Sequence, residues 1–74
     1  MPKLPQISGK ELVRILNKIG YEVDHQSGSH IILRQNFSPF RRITVPNHPN
    51  IAKGTLLAII KESGLSRDEF FELQ

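Results

Sequence analysis

The sequence predicts an α+β fold in which two amphipathic helices cover one face of a three-stranded antiparallel sheet. Three observations carry that expectation. Apolar residues recur at helical spacing near both ends of the chain: Leu12, Val13, Leu16 and Ile19 first, then Leu56, Leu57, Ile59 and Ile60. Between them the period falls to two, and turn-forming residues cut the segment into short β-branched stretches. The chain has only 74 residues, so one small domain over 1–74 is expected, with a thin core and no separate cofactor domain.

The elements follow in order. Met1 to Ile7 carries two prolines and reads as an extended lead-in. Ser8-x-x-Glu11 has capping-box spacing and opens the first helix, which Gly20 is placed to end. Tyr21, Val23 and His25 then alternate with Glu22, Asp24 and Gln26, the pattern of a half-buried strand. Ser27-Gly28-Ser29 is turn chemistry, and His30–Arg34 reads as the central strand. Gln35–Phe40 forms a loop, Arg42–Val45 the third strand, and Pro46 ends it. Asn47–Asn50 continues as loop, and Lys53-Gly54-Thr55 leads into the second helix, closed by Gly64. Ser66-x-x-Glu69 repeats the capping-box spacing and begins a short last helix with Phe70, Phe71 and Leu73.

Strand alternation sorts the side chains. Ile31, Leu33, Ile43 and Val45 should face the helices, because two helices can cover only one face of such a sheet. His30, Ile32, Arg34, Arg42 and Thr44 should share the open face. One histidine and two arginines on an uncovered sheet face form the first chemically suggestive cluster.

Ten Lys and Arg against seven Asp and Glu give a net charge of +3. That excess favours a polyanion or an acidic protein as partner, but it is modest. The absence of cysteine excludes disulfides, thiol catalysis and Cys-based zinc sites. Met1-Pro2-Lys3 does not begin a secretory signal, and no apolar run approaches the roughly 20 residues of a membrane span. A cytoplasmic protein without membrane contact is the expectation.

His30 is exposed at one end of a rigid strand, just after a glycine turn, and a histidine there can exchange protons near neutral pH. Attack of a ribose 2′-OH on the adjacent phosphate needs such transfers, and positive charge near the phosphorane, which Arg34 or Arg42 could supply. By spacing alone, an idle surface histidine is the stronger reading.

The ordered motifs change that balance. Gly28-Ser29-His30, Ile43-Thr44-Val45-Pro46 with His48, Lys53-Gly54-Thr55-Leu56 and Gly64-Leu65-Ser66 together resemble the HicA family, the toxin halves of toxin–antitoxin pairs. The likeness runs from Ser8 to about Phe70. Each motif is loose alone, but their order and spacing are fairly specific. The resemblance implies a double-stranded-RNA-binding-like α-β-β-β-α fold, metal-independent cleavage of mRNA without a cofactor, and inhibition by a HicB-like antitoxin. It maps the family's catalytic histidine onto His30. His48 matches a second recurrent histidine, either catalytic or held to the loop backbone by a structural hydrogen bond. Ser29, Arg34, Arg42, His48 and Lys53 are the expected RNA contacts.

Other features carry open alternatives. His25 departs from the family pattern and reads best as half-buried under the first helix, although one hairpin register would set it beside His30. His25, His30, His48 and Asp24 lack known zinc spacing. Lys53-Gly54-Thr55 resembles the end of a phosphate loop without its upstream glycine, yet a helix N-terminus with a lysine can hold one phosphate. Arg41-Arg42 is a phosphate clamp or a solvated strand end. Phe37 and Phe40 stack on unpaired bases, or cap the sheet edge or meet a protein. Two rival readings stand beside the ribonuclease: a non-catalytic RNA-binding module, and an interaction protein docking through its phenylalanine tail. A double-stranded-RNA binder would place a lysine cluster at the second helix, where this chain has only Lys53 and, further on, Lys61.

Overall fold

The computed structural model describes residues 5–74, so Met1–Leu4 of the expected lead-in lie outside the described residues. The order is α1 (Gly9–Asn17), β1 (Tyr21–Ser27), β2 (His30–Gln35), β3 (Arg42–Pro46), α2 (Lys53–Glu62) and α3 (Arg67–Leu73). The strands form one antiparallel sheet in the order β1-β2-β3. The expected α+β architecture with a C-terminal helix is what the chain adopts.

Local chemistry starts and stops the helices. The Ser8 hydroxyl accepts the Glu11 N–H at 3.2 Å, which forms one half of the expected box at α1. At α3 both halves form: Glu69 N–H donates to the Ser66 hydroxyl at 3.1 Å, and Ser66 N–H to the Glu69 carboxylate at 3.0 Å. Those bonds to the charged form hold the Glu69 carboxyl below its usual range. Gly20 ends the turn after α1 at φ 94°, a conformation that side chains with a Cβ disfavour. Lys18, otherwise an exposed charge, donates to the Leu73 carbonyl at 2.7 Å and ties α1 to the end of α3.

Alternation sorts β2 and β3 as expected. Ile31, Leu33, Ile43 and Val45 are buried against Leu12, Ile15 and Leu16 of α1, Leu56, Ile59 and Ile60 of α2, and Phe70 of α3. Registers Ile31↔Val45, Leu33↔Ile43 and Arg34↔Arg42 are regular, so the opposite positions share the uncovered face.

β1 departs from the expected half-buried strand. Only Tyr21 is buried, and Val23 stands 53% exposed at the outer edge of the sheet. The register runs Val23↔Leu33 and then His25↔Ile32, which leaves Asp24 as an extra, bulged residue. One inserted residue shifts everything after it to the opposite face. His25 is therefore not under α1: it is exposed and lies opposite Ile32 on the uncovered face. Its Nδ1 sits 2.9 Å from the Asp24 carboxylate.

Candidate functional site

The open face has two chemically distinct ends. At one end, the two-residue turn Gly28-Ser29 delivers His30 as the first residue of β2, opposite Ser27 and Pro46. Gly28 adopts φ 57° in that turn, the conformation a tight hairpin demands. His30 is exposed, and it lines a pocket of about 390 Å³ with Thr44, Pro46, His48, Ala52 and Thr55.

His48 reaches that pocket because three backbone bonds fix its loop. Asn47 N–H donates to the Ser29 carbonyl at 2.7 Å, which joins the loop to the hairpin turn. Gly9 N–H donates to the His48 carbonyl at 2.9 Å, and Ile51 N–H to the Ile7 carbonyl at 2.9 Å. A Cβ at Gly9 would run into the Pro46 carbonyl oxygen, so α1 approaches this loop as closely as only glycine permits. The backbone of His48 thus makes the structural hydrogen bond while its side chain stays on the surface. On its other flank His48 lines a smaller hollow with Ser8, Lys10, Asn47 and Pro49.

The pocket wall includes the start of α2. Ala52 is its N-cap and offers no side-chain acceptor, so the first-turn N–H groups are not capped by their own residue. Those donors and the positive end of the helix dipole suit an anion, and the hydroxyls of Thr44 and Thr55 add donors beside them. Lys53 is exposed on the first turn of α2 but does not line the pocket.

At the other end, Arg34 and Arg42 face each other across β2 and β3. Like charges directly opposite in a sheet repel, and acidic neighbours compensate. Glu22 lies opposite Arg34 on β1. The bulged Asp24 lies in the field of both arginines: its carboxyl is held below the usual range chiefly by the His25 hydrogen bond, with Arg42 and Arg34 adding to it. The Arg34 guanidinium also lies over the Phe40 ring, 5.3 Å from its centroid. Phe40 and Phe37 are each 48% exposed on this loop. The loop closes where Arg41 N–H donates to the Gln35 side-chain oxygen at 2.9 Å.

His30 and the arginines share a face but not a pocket. Four residues along a strand span about 13 Å, and neither arginine lines the pocket of His30. Sequence alternation placed Thr44 on this face, but gave no sign that His48 and the start of α2 would close over it. The place of Asp24 beside the arginines was also missed, because nothing in Tyr21–Ser27 marks a bulge. Among the described residues, no three His, Asp or Glu side chains gather as a metal-ligand set. Nor is any helix long and apolar enough to cross a membrane.

Fold and site define a small basic α+β protein with a two-histidine pocket and an arginine pair on one open sheet face. Residues 9–65 match the family model of the HicA toxin of bacterial toxin–antitoxin systems, and the chain belongs to that family. Membership implies an antitoxin partner. No curated protein matches the chain.

Proposed function

We propose that this toxin is a metal-independent endoribonuclease that cleaves mRNA, with His30 as its catalytic residue and a HicB-like antitoxin as its inhibitor. The observation that carries this reading is the placement of His30. A rigid strand and a tight turn hold it at the mouth of a pocket whose other wall is the uncapped start of α2. A phosphodiester seated there meets a proton-transfer group on one side and N–H and hydroxyl donors on the other, the arrangement that stabilises a developing phosphorane. Thr44, Thr55 and the α2 backbone supply that stabilisation. Arg34 and Arg42 instead hold RNA further along the face, and Phe37 and Phe40 offer rings on which unpaired bases stack. Ser29 presents the turn, and Lys53 adds charge beside the pocket.

The antitoxin covers the same face. An inhibitor that blocks His30 must also offset the arginine pair, so its contacting surface is acidic. The experiment is cleavage of RNA by purified protein, with and without EDTA. The expected products end in a 2′,3′-cyclic phosphate or its hydrolysed form, with a 5′-hydroxyl on the other fragment. Activity abolished by EDTA and restored by magnesium or manganese overturns this mechanism.

A further inference from the structure

We infer that His48 is the second proton-transfer group of this pocket, so that cleavage runs on a pair of histidines rather than on His30 alone. The inference rests on the ribonuclease reading above and deepens it. His30 and His48 come from different elements, 18 positions apart in sequence, and line one pocket with Thr44 and Thr55. His48 is exposed, and its carbonyl rather than its ring makes the bond to Gly9 that fixes the loop. The ring is thus free of that structural duty while three backbone bonds hold its position. His25 is the other histidine on the face, but its Nδ1 is engaged by Asp24 and it does not line the pocket.

Chemistry gives the pair a divided task. One neutral imidazole takes the proton of the 2′-hydroxyl as that oxygen bonds to phosphorus. The other, as imidazolium, gives a proton to the 5′-oxygen as its bond to phosphorus breaks. The products are a 2′,3′-cyclic phosphate and a 5′-hydroxyl, and no outside reactant is consumed. Two such groups make the rate bell-shaped in pH, with one limb for the base and one for the acid.

The test first maps the wild-type cut in an oligoribonucleotide, then replaces the 5′-oxygen at that bond with sulfur. A thiolate is a far weaker base than an alkoxide and departs without a donated proton. Wild type, His30→Ala and His48→Ala are compared on both substrates across pH. His48→Ala should cut the oxygen substrate about 10²–10⁴-fold more slowly and lose one limb of the profile. Of the two alanine variants, one should recover on the sulfur substrate and the other should not, which names the acid and the base. His48→Gln serves if His48→Ala does not fold. Wild-type rate and an unchanged bell for the His48 variant, or slow cleavage without rescue of either histidine variant, overturns the pair. Absence of cutting by the wild type instead overturns the ribonuclease reading itself.

Discussion

The two faces of the sheet obey the same alternation but answer to different forces. On the covered face, Leu33, Ile43 and Val45 are held by burial against three helices, and their identity is dictated by volume and water exclusion. On the open face, His30, Arg34, Arg42 and Thr44 bury little, and two arginines stand opposite each other where pairing alone would disfavour them. The covered face makes the fold. The open face keeps charges whose placement the fold does not require, which is why we propose it as the working surface.

Substitutions can break this contrast. The largest expected stability effect is on the covered side: Leu33→Ala, at a fully buried position, should cost about 2–5 kcal/mol. Its neighbour Ile32, half-buried on the open face, should cost about 1 kcal/mol as Ile32→Ala. Denaturant melts compare the two, and equal costs would mean that both faces are packed.

The open face should show the reverse pattern in function. Arg42→Glu should leave the melt nearly unchanged, whereas Arg34→Glu loses the Phe40 contact and faces Glu22, at a cost of up to about 1 kcal/mol. Both should slow RNA cleavage at least about tenfold, since a charged hydrogen bond is worth roughly 1.5–3 kcal/mol. Both should also weaken antitoxin binding. Arg14→Glu, exposed on α1, should alter neither, and it is a better control than Lys18, whose ammonium holds α3. Paired measurements of cleavage rate and antitoxin affinity decide this. Unchanged affinity in both arginine variants would place the antitoxin elsewhere.

A subtler test joins packing to the site. Gly9→Ala gains helix propensity of up to about 1 kcal/mol, but its Cβ meets the Pro46 carbonyl, and overpacking costs about 1–3 kcal/mol. Net destabilisation and slower cleavage are expected, because the same contact positions His48. Gly54→Ala, with open space around its Cβ, should be neutral or stabilising by up to about 1 kcal/mol.

The smallest effect concerns acid. The Glu69 carboxyl, lowered from 4.5 by its bonds to Ser66, contributes stability that is present above its unfolded value and lost as pH falls through the folded one. Protection of the α3 amides, taken relative to their intrinsic exchange at each pH, should therefore fall as pH drops through the carboxylate range. In Glu69→Gln, whose side chain cannot titrate, that pH dependence should disappear.

Much of this molecule was legible from periodicity and turn chemistry. Ser8, Gly20 and Ser66 marked element ends, and the two-residue spacing of Ile31, Leu33, Ile43 and Val45 placed the core and, by exclusion, the open face. β1 misled because Tyr21–Gln26 alternates cleanly while the backbone inserts Asp24 as a bulge, and no glycine announces it. That single residue carries His25 from under α1 to the surface. The His30–His48 pocket was hidden for another reason. Its loop is set by backbone bonds from Asn47, Gly9 and Ile51, and main-chain bonds of that kind are not written in side-chain spacing, although the close approach at Gly9 does require a glycine. Spacing could propose each histidine but not bring them together.

If the chain arrests growth by cutting RNA through His30, removal of that side chain must spare both growth and transcripts. Induced expression of wild type beside His30→Ala reads this, scoring growth and transcript integrity in the same cultures, with the fold of each protein checked after purification. Wild type should halt growth and fragment transcripts. Folded His30→Ala should do neither, since loss of one proton-transfer group costs about 10²–10⁴ in rate. Transcripts cut equally by a folded His30→Ala protein would remove His30 from the catalytic role.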